Sequence, residues 1–114
     1  VIADGYIPPT SSDQSRELIS HDAMCILNCG PQDAHIEVIL YFSDREPAGP
    51  YCFEVAAART RHVRFNELTD PKPVPHNTDY ASVIRSDVPV IVQHTRLDSR
   101  QAALALMSTM AYPG

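Results

Sequence analysis

Residues 88 to 101, VPVIVQHTRLDSRQ, begin as an oily strand and end in a dense run of polar groups. Gln93, His94, Arg96, Asp98, Ser99 and Arg100 bring an amide, an imidazole, two guanidiniums, a carboxylate and a hydroxyl into one short stretch. Such groups can serve acid–base catalysis, a ligand pocket or an ion-paired corner. Ser/His/Asp catalysis fits poorly. There is no G-x-S-x-G elbow, and on an extended strand His94 and Ser99 stand about 16 Å apart at ~3.3 Å per residue. Strand alternation sets Val90, Val92, His94 and Arg96 on one face, and Ile91, Gln93, Thr95 and Leu97 on the other. The first face turns from apolar to cationic as it leaves the core. Two readings follow for Gln93, His94, Arg96, Asp98 and Arg100. They fix a corner or a subunit contact, or they border a small-ligand groove. The planar forks of Arg96 and Arg100 can hold Asp98, or a second carboxylate such as Asp79, in bidentate fashion.

Other chemistry is thinly supported. His21, His35, His62, His76 and His94 form no H-x-H, H-E-x-x-H or Cys/His cluster, so no metal site and no cofactor are expected. Cys25, Cys29 and Cys52 are an odd, sparse set with no C-x-x-C pair, which reads as buried reduced thiols. Gly30 and Gly49 look like turn glycines rather than a phosphate loop. "RTRHVR" (59–64) is either a polar strand face whose arginines pair with nearby carboxylates, or a phosphate-binding strip.

The elements that must position these groups are strands. In 34–44, Ile36, Val38, Leu40 and Phe42 share one face, while Ile39 and Tyr41 interrupt the polar face. That apolar interruption asks to be covered, by another element or by a second subunit. "DAMCILNCG" (22–30) is a strand ended by a GPQD turn, and the short loop predicts a hairpin between 22–29 and 34–43. Further strands are predicted at 51–58, 59–65, 80–86 and 88–97. The stretch 101–112 is ambiguous, and is read as a helical turn near 99–103 followed by a strand. The Pro-rich stretch 66–79 is an ordered, extended loop. Seven to eight mostly antiparallel strands with Pro-rich corners predict an all-β, single-domain β-sandwich or barrel over residues 1–114.

Composition narrows the function. A chain of 114 residues fits one domain and one core. No segment approaches the ~20 apolar residues of a membrane helix. Net charge is −5, which opposes nonspecific nucleic-acid binding across the surface. The sequence begins at Val1 rather than Met, which points to a start further upstream.

Taken together, "ADGYIPP", "SHDAMCILN", "HIEVILYFSDREPAGPY", "RTRHVRFNEL", "DPKPVPHNTDYASVI" and "SDVPVIVQHTRLDSRQA" resemble the sensory rhodopsin transducer family, from Ala3 to Tyr112. The resemblance implies a small all-β sandwich in the cytoplasm, assembling as a homotetramer and without enzyme activity. It implies a signalling or adaptor role that receives a conformational signal from a seven-helix retinal receptor. The alternative is a binding module for a small, sugar-like ligand with no rhodopsin partner. Retinal belongs to the receptor, since the sole lysine here is Lys72, in the Pro-rich loop. Pro71, Pro73, Pro75 and His76, with the loop Asp44 to Pro50, are the expected receptor-docking surface, because rigid loops lose little entropy on docking.

Overall fold

The computed structural model describes residues 1–9, 20–98 and 105–113. Eight strands form two four-stranded antiparallel sheets: β1 (Ile2–Gly5), β2 (His21–Asn28), β3 (Ala34–Phe42), β4 (Ala48–Val55), β5 (Arg59–Arg64), β6 (Tyr80–Ser86), β7 (Ile91–Asp98) and β8 (Ala105–Met110). One sheet has the order β1-β6-β3-β4 and the other β5-β2-β7-β8. They pack face to face as a β-sandwich. One 3₁₀ turn, Phe65–Glu67, follows β5. The expected helical turn at 99–103 lies outside the described residues.

Alternation builds the core. Met24 and Ile26 of β2 meet Ile36, Val38 and Leu40 of β3, all at most 1 % exposed. Tyr51, Val55, Val63, Phe65 and Tyr80 complete the layer. The loop residue Val74 also reaches in, 2 % exposed, which anchors the Pro-rich loop as an ordered segment.

The expected hairpin between 22–29 and 34–43 does not form. β2 pairs with β5 and β7, and β3 pairs with β4 and β6, so the two strands lie in opposite sheets. The short loop 29–33 is a corner, and Asn28 is what holds it. Fully buried, Asn28 donates from Nδ2 to the carbonyls of Gln32 (2.7 Å) and Val55 (3.1 Å), and accepts from Gly30 N (3.1 Å). A side chain thereby meets the backbone groups that ladder partners would otherwise meet. A second corner, at 56–58, separates β4 from β5 with Ala58 at φ 55°. β1 was not expected, and β4 begins at Ala48, inside the stretch read as the loop Asp44 to Pro50.

The pairing register gathers the loops. Phe42 and Gly5 both lie beside Tyr80, Ala23 lies beside Arg64, and Asp22 beside Arg96. The ends of β1, β3, β5 and β7 therefore meet the starts of β2, β4, β6 and β8. The Pro-rich loop and the loop from Asp44 share this end of the sandwich.

Candidate functional site: a buried carboxylate at the loop end

Asp22 sits at the start of β2 on the inward row that continues through Met24 and Ile26, and it is fully buried. Placing a carboxylate there is costly unless its oxygens are filled. They are. Oδ2 accepts from the Tyr80 hydroxyl (2.5 Å) and from the backbone N–H of Tyr6 (2.8 Å), and Oδ1 meets Nε2 of His94. Arg96, opposite Asp22 in the ladder, brings its Nε to 3.7 Å, close enough for Coulomb attraction and too far for a hydrogen bond. Burial, then the charge of Asp22 and the hydrogen bond to it, push the Tyr80 phenol far above its ordinary pKa, so it remains a donor. Asp22 N donates to Asn66 Oδ1 (3.2 Å), whose Nδ2 donates to Ser20 O (3.0 Å), fixing where β2 begins.

The node reaches the loop. Tyr6, held by Asp22 through its N–H, donates its hydroxyl to Asn77 Oδ1, and Asn77 N donates to Ile7 O (2.9 Å). Arg96 stacks over the Tyr6 ring, its guanidinium carbon 5.8 Å from the centroid, and donates to the Asp4 carbonyl (3.0 Å). One buried carboxylate thus joins the start of β2, the N-terminal strand, β6, β7 and the last residues of the Pro-rich loop.

The expected polar cluster is therefore split. His94 is a core residue, 1 % exposed, and Arg96 lies on the same inward face. Where the sequence offered Asp98, or a second carboxylate such as Asp79, strand pairing brings Asp22 of β2 and Asp4 of β1 to Arg96. Gln93 points outward and donates to Ser108 Oγ (2.8 Å). Asp98, half-buried, closes β7. Arg100 lies outside the described residues. Pro71, Pro73 and His76 are exposed and Pro75 is half-buried, all in a loop pinned by the Tyr51 hydroxyl donating to Lys72 O (2.7 Å). The sequence reading passed over Asp22, Tyr80 and Tyr6. A signal for Asp22 was present, as a carboxylate in the inward register of an apolar row.

The thiols also depart from expectation. All three are free, but Cys29 and Cys52 are exposed and Cys25 half-buried, since Cys25 and Cys52 face outward on their strands and Cys29 lies in the corner after β2. Among the described residues no three His, Cys, Asp or Glu side chains could share a metal ion, and no helix is long and apolar enough to cross a membrane.

These features define a two-sheet antiparallel sandwich whose loop end is locked by a water-excluded polar node. A family model for the Anabaena sensory rhodopsin transducer matches residues 1–113, and the chain belongs to that family. The solved structure of the Anabaena sensory rhodopsin transducer is 56 % identical, covering 82 % of this chain and 91 % of that one, with a TM-score of 0.74. The crystal structure of Thermotoga maritima 1070 is 32 % identical, covering 97 % of this chain and 89 % of that one, with a TM-score of 0.85. No curated protein matches the chain.

Proposed function

We propose that this chain is a non-enzymatic cytoplasmic adaptor that docks, as a homotetramer, on a membrane-embedded sensory rhodopsin and passes on its conformational signal. Family membership supports the receptor class. The observation that carries the reading is the tie from Asn77 through Tyr6 to Asp22 and His94. A receptor pressing on Pro71, Pro73, Pro75 or His76 would act on a loop wired to both sheets. Docking on such a loop costs little ordering entropy.

Assembly is supported by apolar side chains left on outer faces. Tyr41 on one sheet is 44 % exposed, and Leu27, Ile91 and Met110 on the other are 41 %, 51 % and 59 % exposed. Such surface is what subunit contacts cover. A sugar-like ligand bordered by His94 and Arg96 has less support, because His94 is sealed in the core and Tyr6 covers Arg96. Nucleic acid remains disfavoured by the net charge of −5.

Co-sedimentation with membranes carrying the Anabaena sensory rhodopsin tests the docking, with rhodopsin-free membranes as reference. Retention on the former alone is expected, and equal retention on both contradicts the proposal. Light scattering tests the assembly, and a clean monomer at micromolar concentration contradicts it.

A further inference from the structure

Two loops at one end of the sandwich hold much of the chain's excess negative charge. Residues 44–50 carry Asp44 and Glu46 against Arg45, and residues 66–79 carry Glu67, Asp70 and Asp79 against Lys72. The net charge of the whole chain is −5. The register that sets Phe42 beside Tyr80 brings both loops to the same end.

Most carboxylates of the chain are matched where they stand. Asp87 and Glu54 meet His35, and Asp4 and Asp22 meet Arg96. Asp33 accepts from Ala57 N (2.9 Å), and Glu37 lies opposite Arg85 in the β3–β6 ladder. Asp44 is held by Arg45 (3.0 Å). Glu46, Asp70 and Asp79 differ. All three are exposed, and they make no hydrogen bond or ion pair among the described residues. Arg61 lines a groove with Asp70, yet it packs over the Phe53 ring (5.0 Å to the centroid) and donates to Glu54 O (2.7 Å). Arg59 donates to Ala58 O (2.9 Å). Those two arginines of the basic strand engage a ring and carbonyls rather than the expected carboxylates.

The unmatched charge sits on ordered loops, pinned by buried Val74 and by the Tyr51 hydroxyl on Lys72 O. A fixed negative surface repels nucleic acid and the anionic inner leaflet of a membrane. The cytoplasmic loops of a membrane protein have the opposite sign, since they carry an excess of Lys and Arg. We propose that Glu46, Asp70 and Asp79 meet basic cytoplasmic loops of the membrane receptor and steer the encounter. This rests on the docking proposed above, and adds the chemistry of the receptor surface and the sign of the salt dependence. Attraction of this kind acts mainly on the association rate.

Association kinetics with the Anabaena sensory rhodopsin in phosphatidylcholine nanodiscs, at low and high salt, test the proposal. Wild-type kon should fall about tenfold from low to high salt, as screening removes the steering. The triple variant Glu46→Gln, Asp70→Asn, Asp79→Asn changes only exposed side chains and should melt like the wild type. At low salt its kon should be about tenfold lower and should respond weakly to salt. Glu37→Gln, on the sheet face, should bind like the wild type. A wild-type kon indifferent to salt, or equal kon for the wild type and the triple variant, overturns the charge reading and leaves the docking standing. Capture of the wild type by receptor-free nanodiscs containing anionic lipid overturns it in favour of a lipid surface. No binding by the wild type at either salt overturns the docking and this inference together.

Discussion

Asp22 and His94, 72 residues apart, meet on the inner face of one sheet as a diagonal pair, for the ladder sets Asp22 opposite Arg96 and His94 opposite Met24. Neither side chain touches solvent, at 0 % and 1 % exposure. Nε2 of His94 faces the carboxylate and Nδ1 has no hydrogen-bond partner among the described residues. The Nε2–H tautomer fits this arrangement, since it leaves a lone pair unmatched rather than a donor.

Removing the carboxylate should be expensive. Asp22→Ala strands the Tyr80 hydroxyl, the Tyr6 N–H, His94 and the charge of Arg96 together, and should cost about 3–5 kcal/mol. Asp22→Asn keeps the shape and should cost less. Urea unfolding measures both, and a midpoint for Asp22→Ala within error of wild type would mean the node is not structural.

Tyr80 adds two expectations. Tyr80→Phe leaves Asp22 without one donor and should cost about 1–3 kcal/mol. Gly5 lies against the same ring, where an added methyl would meet Tyr80 Cδ2 at 2.5 Å. Gly5→Ala should therefore also destabilise, by about 1–3 kcal/mol, through overpacking. The double variant Gly5→Ala, Tyr80→Leu should recover part of the Gly5 cost, and thermal melts of the four proteins give that coupling.

Much of the fold is legible in the residues, and the limits have physical causes. The rows Met24/Ile26 and Ile36/Val38/Leu40 alternate cleanly because each strand has one dry face. β8 is readable as a strand despite its Ala and Leu, because Leu106, Ser108 and Met110 alternate with Met107 and Thr109. β1 is hidden, since four residues including Asp4 and Gly5 carry no period. The corner at Asn28 mimics a hairpin loop in length, and nothing local says which sheet the next strand joins. Ala56 to Ala58 hide a turn in residues that ordinarily do not mark one. The inward face of His94 and Arg96 was readable from alternation. Their partner was not, for Asp22 reaches them through strand pairing across most of the chain.

At the far end of the sandwich, His35 bonds Asp87 through Nδ1 (2.7 Å) and meets Glu54 through Nε2 (3.2 Å). The hydrogen bond and charge of Asp87 raise the His35 pKa above its ordinary 6.5. A raised folded value means the contribution to stability is full below 6.5 and is lost as pH rises through the folded pKa. NMR titration of the ring should give a midpoint above 6.5, falling back in Asp87→Asn. An unchanged midpoint in that variant would exclude the pair as its cause.

The thiols differ in access. Cys29 and Cys52 are exposed, while Cys25 is half-buried with its pKa raised by burial. Timed alkylation read by mass spectrometry should therefore modify two sites quickly and Cys25 slowly. Equal rates at all three would mean that burial does not protect the Cys25 thiol.

The docking of the Pro-rich loop on a sensory rhodopsin is tested most directly by a binding isotherm to the Anabaena sensory rhodopsin in lipid nanodiscs. Two proteins are compared, the wild type and a variant scrambled at 71–76 that melts like it. The wild type should bind saturably, and the scrambled variant about tenfold more weakly or worse, the scale of a lost interface anchor. No saturable binding by the wild type, or equal binding by both, would contradict the account.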